Sequence, residues 1–256
     1  LYTGDKSWLE SVYDGLKYTA LKDIHVAFDA NVGLFKGETC SMDWRTHTYP
    51  NWFINSVIAD SFSSGTNALH KFFYQFLGTA GRIIQKPAEE IAMWEKYSGL
   101  LKENINKHFW DEKQGCYTCY LYPEYLGYRP TQRVGVMSNG LAAVLDIATT
   151  GQSIQMVENF PLYPYGAAVL YPSIPDDFSY HNKSVWPVWE TPYMYAARDV
   201  KNTKVVEHMI KSLVRAGALF LTHKENMTYD TGYDCGTALN SSRQLWSVAS
   251  YISMVY

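Results

Sequence analysis

The sequence predicts an all-α chain of helix pairs, the arrangement that forms an (α/α) barrel when successive pairs stand side by side in a ring. Two observations carry this. Apolar residues recur at helical spacing in about eight separate segments. The connections alternate between short and long, and the long ones cover 31–55, 160–185 and 223–240. Loops of more than about 12–15 residues are uncommon and usually functional. In a ring of antiparallel pairs, long loops on one rim would converge on a common mouth.

Taken in order, residues 5–29 form the first predicted helix, with Trp8, Leu9, Val12, Tyr13, Leu16 and Leu21 at helical spacing and Asp5 or Ser7 as cap. Residues 31–55 are a polar, aromatic loop. Two helices follow over 66–84 and 87–110; Pro87 suits a first turn, and Glu89 and Glu90 suit the positive end of the helix dipole. Residues 111–125 alternate as a β-ribbon after an Asp-Glu-Lys-Gln-Gly turn. Further helices are expected over 134–148, 152–158, 186–199, 204–221 and 242–256. The stretch 160–187 is rich in Pro, Tyr and Gly and has no periodicity. No internal repeat of fixed period is visible. Six pairs need twelve helices, so about eight point to an incomplete barrel or to part of a longer chain.

Composition narrows the function classes. Nearly half the residues are apolar and the formal net charge is −3, with Lys and Arg scattered. A packed core is therefore available, while a nucleic-acid partner is not expected. No run of about 18 apolar residues forms a membrane span. There are 21 Tyr, 8 Trp and 11 Phe, many beside polar groups in apparent loops. Such surfaces suit sugars, whose C–H faces stack and whose hydroxyls need partners. Cys116 and Cys119 form a C-x-x-C, but neither Cys40, Cys235 nor the histidines supply a second zinc-type pair. Unligated cysteines, no metal and no cofactor are the expectation. Leu1 is not an initiator methionine, so the N-terminus reads as processed or cut. The compartment stays open, with a periplasmic or secreted one preferred. Asn182, Asn226 and Asn240 begin short glycosylation patterns.

Three loops carry candidate chemistry. The first places Glu38, Asp43, Arg45 and His47 within ten residues, interleaved with Trp44 and Tyr49. The second, 180–190, holds His181 and Asn182 as hydrogen-bonding groups, Trp186 and Trp189 as stacking platforms, and Glu190 at a helix start. The third supplies Glu225, Asp230 and Asp234, followed by Gln244 and Trp246. Glycoside cleavage needs one protonated carboxylic acid for the leaving oxygen and one carboxylate for water or the sugar. Carboxylates on separate aromatic loops satisfy that need, and no phosphate loop, zinc-protease motif or nucleophile elbow competes.

At these loops the sequence resembles the six-hairpin glycosidases, especially the trehalase, processing α-glucosidase and glycogen-debranching branches. Glu38-Thr39-Cys40-Ser41-Met42-Asp43-Trp44-Arg45 is similar to the segment that carries the general acid. Tyr180 to Pro187 resembles the Val/Leu-Trp-Pro element lining the sugar pocket. Glu225-Asn226-Met227-Thr228-Tyr229-Asp230-Thr231-Gly232 looks like the element that carries the general base, and the helix start at Gln244 follows as in that superfamily.

The resemblance implies an inverting cleavage of an α-linked sugar in an oligosaccharide or polysaccharide, with Asp43 as acid and Glu225 as base. Their carboxyls would then lie about 6.5–9.5 Å apart. Glu38, Trp44, Arg45, His181, Asn182, Trp186, Trp189, Glu190, Gln244 and Trp246 become candidate substrate contacts. Glu190 also competes for the base role. His47, His181, Arg45 and Arg133 keep open an unsaturated-uronyl hydrolase, a polysaccharide lyase or a sugar epimerase on a related toroid. A non-catalytic glycan-binding module is the third possibility.

Overall fold

The computed structural model describes residues 3–38, 48–175, 179–234 and 240–255. Nine helices lie among them: α1 (Lys6–Ala27), α2 (Asn55–Ala59), α3 (Ser64–Ile83), α4 (Ala88–Phe109), α5 (Val136–Val144), α6 (Thr150–Asn159), α7 (Pro187–Asp199), α8 (Thr203–Phe220) and α9 (Leu245–Val255). Their starts follow the local chemistry. The Asp5 side chain accepts from Trp8 N, Ser63 caps α3, Asn202 caps α8, and Thr149 with Gln152 forms a capping box on α6. None of these helices is long and apolar enough to cross a membrane.

The helices form two layers. Helices α3, α5, α7 and α9 pack against one another in that order as an inner row. Helices α1, α4, α6 and α8 each precede one of them. Helix α1 packs on α3, α4 also on α3, α6 on α7, and α8 on α7 and α9. The chain leaves each inner helix by a short turn and reaches the next through a long excursion. All four excursions, 28–63, 110–135, 160–186 and 221–244, thus run from an outer helix to an inner one. This is the predicted alternation, and it gathers the long loops on one rim.

The rim is tied by short strands, most of them two residues long. Hairpins open three excursions: β1 (Phe28–Asp29) with β2 (Leu34–Phe35), β4 (Trp110–Asp111) with β5 (Cys116–Tyr117), and β9 (Leu162–Tyr163) with β10 (Gly166–Ala167). The strands just before α3, α5 and α7 then pair with the next excursion. β3 (Phe62–Ser63) joins β6 (Tyr120–Glu124), which also pairs with β7 (Gly127–Pro130). β8 (Val134–Gly135) joins β11 (Leu170–Tyr171), and β12 (Ser184–Val185) joins β13 (Met227–Thr228). A structural repeat exists where the sequence showed none, because it resides in backbone pairing. The expected ribbon at 111–125 resolves into pieces of this interlock, and 160–187 contains β9 to β12.

Two large clusters of buried side chains fill the fold. One gathers Tyr74, Leu77, Trp94 and Leu101 under α1, α3 and α4. The other gathers Tyr120, Trp186, Trp189, Tyr193 and Met209 under α5 to α9. Cys116 is a buried thiol whose pKa burial pushes up to about 12, and Cys119 is buried beside it. Asn182 and Asn226 are buried as well, so neither can accept a glycan in the folded chain.

Candidate active site

Glu225 sits on the fourth excursion, where its two ends are zipped together. Glu225 N donates to Ser241 O at 2.9 Å, Gln244 N to His223 O at 2.9 Å, and the Asn240 amide donates to Asn226 O at 3.0 Å. Within this ladder each carboxylate oxygen has one donor: Gln244 Nε2 reaches Oε1 at 3.1 Å, and Ser241 N reaches Oε2 at 3.2 Å. The neighbouring cation is directed elsewhere, since Lys224 pairs with Asp234. Glu225 is thus a buried carboxylate oriented, among the described residues, by one backbone and one side-chain donor. Asp230 is exposed and accepts from Thr231 N.

Asp43, Trp44, Arg45 and His47 lie outside the described residues. The residue at the end of their segment, Thr48, is fully buried and joins three excursions. Its carbonyl accepts from Arg133 Nη1 at 2.7 Å and from the Tyr120 hydroxyl at 2.5 Å. Its hydroxyl meets His181 Nδ1 at 3.0 Å. Arg133 Nε donates in addition to Pro172 O at 3.1 Å. At the segment's start, the half-buried Glu38 accepts from Thr66 Oγ1 through its carbonyl at 2.7 Å. Thr48 and Tyr120 were missed in the sequence because their role is non-local; the Tyr49-Pro50 step beside Thr48 was the available hint.

The remaining candidates separate by depth. Trp186 and Trp189 stack on each other, centroids 4.4 Å apart and planes 6° from parallel, and both are buried. The His181 ring lies against both, at 5.2 and 5.1 Å. The tryptophans therefore build the wall behind His181, whereas the sequence had cast them as open platforms. Trp246, 6.2 Å from Trp186, is 44% exposed and keeps a face free for stacking. Asn182 accepts from Ile174 N and donates to Ile174 O, both at 2.9 Å, which folds the third excursion back on itself. Glu190 is fully buried on α7 and accepts from Ala167 N at 2.6 Å. It is closed off from solvent, so the competition it offered Glu225 for the base role has no geometric support.

No family model matches this sequence, and no curated protein matches it either. Solved structures do. Neutral trehalase Nth1 from Saccharomyces cerevisiae superposes with a TM-score of 0.63 over 80% of this chain and 40% of its own, at 16% identity. The shared fold is that of part of an (α/α) toroid. The GH63 mannosylglycerate hydrolase from Thermus thermophilus agrees in two forms. Its complex with glucose gives a TM-score of 0.61 at 15% identity, covering 77% of this chain and 48% of the other. Its complex with Tris gives 0.59 at 13% identity, covering 76% and 45%. The chain spans less than half the length of each.

Proposed function

We propose that this chain is the helical core of a glycosidase that cleaves an α-linked sugar in an oligosaccharide or polysaccharide with inversion, Asp43 being the general acid and Glu225 the general base. The observation that carries the reading is the seating of Glu225. An inverting base must hold one orientation while it takes a proton from water. The two donors on Glu225, from Gln244 and Ser241, provide such a hold. The fold shared with a trehalase and a mannosylglycerate hydrolase is in keeping with it.

In the proposed cycle Asp43 donates its proton to the glycosidic oxygen as the C–O bond breaks. Glu225 removes a proton from the water that attacks the opposite face of the anomeric carbon, and the product leaves with inverted configuration. Thr48, the described residue that follows Asp43 in the chain, is tied to Arg133, Tyr120 and His181. Trp246 offers the stacking face. The lyase and epimerase readings drew on Arg133 and His181, and both side chains are engaged with Thr48.

Asp43→Asn and Glu225→Gln, made in the full-length protein, are each expected to lower kcat on its α-glycoside by roughly 10²–10⁴-fold. NMR of the first-formed anomer is expected to show inversion. Unchanged turnover in both variants would sink the residue assignment, and retained configuration would sink the mechanism.

A further inference from the structure

Three inner helices begin against the hairpin that precedes them, and in each case the side chain at the fourth helical position joins the two. In α3 this is Asn67: Oδ1 accepts from Phe35 N at 2.7 Å, and Nδ2 donates to Phe35 O at 3.0 Å and Ser63 O at 2.9 Å. In α5 it is Asn139: Oδ1 accepts from Tyr117 N at 2.8 Å, and Nδ2 donates to Tyr117 O and Gly135 O, both at 2.9 Å. Phe35 and Tyr117 each stand on the second strand of the hairpin, and Ser63 and Gly135 lie four residues before the asparagine. In α7 the same position is Glu190, whose Oε1 accepts from Ala167 N on the second strand of the β9–β10 hairpin.

An amide suits this place because it accepts one N–H and donates to two carbonyls. A carboxylate cannot donate, and its second oxygen would stand where the asparagines present an NH₂ group. A carboxylic acid accepts the same N–H and brings no charge into the buried site. We infer that Glu190 is held as the protonated acid, a counterpart of Asn67 and Asn139 that clamps the β9–β10 hairpin to α7 and so positions the loop carrying Glu225.

The surroundings fit a neutral group. Glu190 is completely buried, and Oε2 has no hydrogen-bond partner among the described residues. A Cβ on Gly166 would lie 2.5 Å from Oε1 and 2.8 Å from Val185 Cγ1, so the hairpin backbone rests directly on the carboxyl. No described cation pairs with it. The titratable groups around it are Tyr193, one turn along α7, and Cys116 on β5, which faces Tyr193; burial raises the pKa of both, so both are neutral at pH 7. Desolvation likewise pushes Glu190 up to about 8, outweighing the Ala167 N–H bond that lowers it.

The hairpin in turn braces the Glu225 loop. Tyr163 stacks on Tyr229 at 3.8 Å, and Tyr165 N donates to Tyr229 O at 3.4 Å. Arg215 lies over Tyr165 at 4.2 Å while donating to Gly232 O at 3.0 Å. Only the consequence for Glu225 rests on the proposed function; the clamp itself does not.

The folded chain keeps a proton that the unfolded chain releases above the ordinary carboxyl pKa of 4.5. The stability this confers is therefore full below about 4.5, declines as pH rises, and is lost through about 8. Three measurements on the purified chain test the clamp. Infrared difference spectra at pH 6.5 between wild type and Glu190→Gln should show a protonated-acid C=O stretch in wild type alone; loss of carboxylate bands instead would overturn the inference. Tm should fall from pH 5 to pH 8 in wild type and stay flatter in Glu190→Gln, whereas parallel curves would refute the proposal. A ¹³C-carboxyl NMR titration of wild type, which needs no variant, should show one glutamate titrating well above the rest. For positioning, Glu190→Ala should lower kcat with little change in KM and Gln should rescue it. Absence of turnover in wild type would count against the proposed function, not the clamp.

Discussion

At the scale of single residues, Gln244 decides how Glu225 is presented. It stands immediately before α9, where its carbonyl accepts from Val248 N, while its side chain donates to Glu225 Oε1, so one residue couples the helix to the carboxylate. Gln244→Ala leaves Ser241 N as the remaining donor and lets the carboxyl turn. The expected outcome is a kcat reduced roughly 10–100-fold, since small misplacement of a reacting group is costly. Stability should fall by only about 1 kcal/mol in denaturant titration, the usual net value of one hydrogen bond. A kcat equal to wild type would show that Gln244 does not orient Glu225. This coupling was half legible in the sequence. The ordered motifs marked Glu225 and Gln244 separately, but which atom of one faces the other depends on how the loop ends zip together. Trp186 and Trp189 make the converse point. Over the single turn at the start of a helix, spacing does not tell a buried aromatic from an open one, and both proved to face inward.

At the scale of elements, the inner row depends on how closely α5 and α7 approach. A Cβ built on Gly140 would meet Tyr193 N at 2.4 Å and the Pro192 carbonyl carbon at 2.6 Å. Those neighbours are backbone atoms of the facing helix and cannot step aside as a side-chain tip can. Gly140→Ala is therefore expected to force α5 and α7 apart and to cost about 2–3 kcal/mol, as overpacking does. Chemical denaturation of the variant measures this, and a change under about 0.5 kcal/mol, the range of an ordinary surface substitution, would show that the helices adjust freely. All the described helices but the five-residue α2 were readable from apolar spacing and caps, because both are local signals; Asp5, Thr149 and Asn202 act where the sequence put a helix start or close to it. Of the rim strands, those within the ribbon expected at 111–125 were readable, and the others were not. Two-residue strands have no alternation to detect, and several have their partners in the next excursion along the chain.

At the scale of the whole molecule, α9 presents an imbalance. Leu245–Val255 contains no charged residue. It turns Ser247, Ser250 and Met254 toward α7 and α8, while Leu245 and Ile252, on the opposite face, are 82% and 54% exposed. A helix apolar all round is normally buried on all sides. In the outer layer, α1 turns Leu9, Tyr13 and Ala20 to the core and exposes Trp8, Tyr18 and Val26 among charged residues such as Lys6, Glu10 and Lys22. The outward face of α9 is thus uncovered apolar surface of the kind that drives association in water. A polypeptide of these 256 residues produced alone is expected to self-associate through α9. Light scattering after size exclusion should give a mass above 29.3 kDa that rises with concentration. Leu245→Lys with Ile252→Lys should return it to the monomer mass, because two cations on that face oppose its burial against a second copy. Both side chains point away from the core, so far-UV circular dichroism should stay unchanged. A wild-type chain monomeric at every concentration would show that the α9 face is tolerated in water, and a double variant that still associates would move the contact to α1.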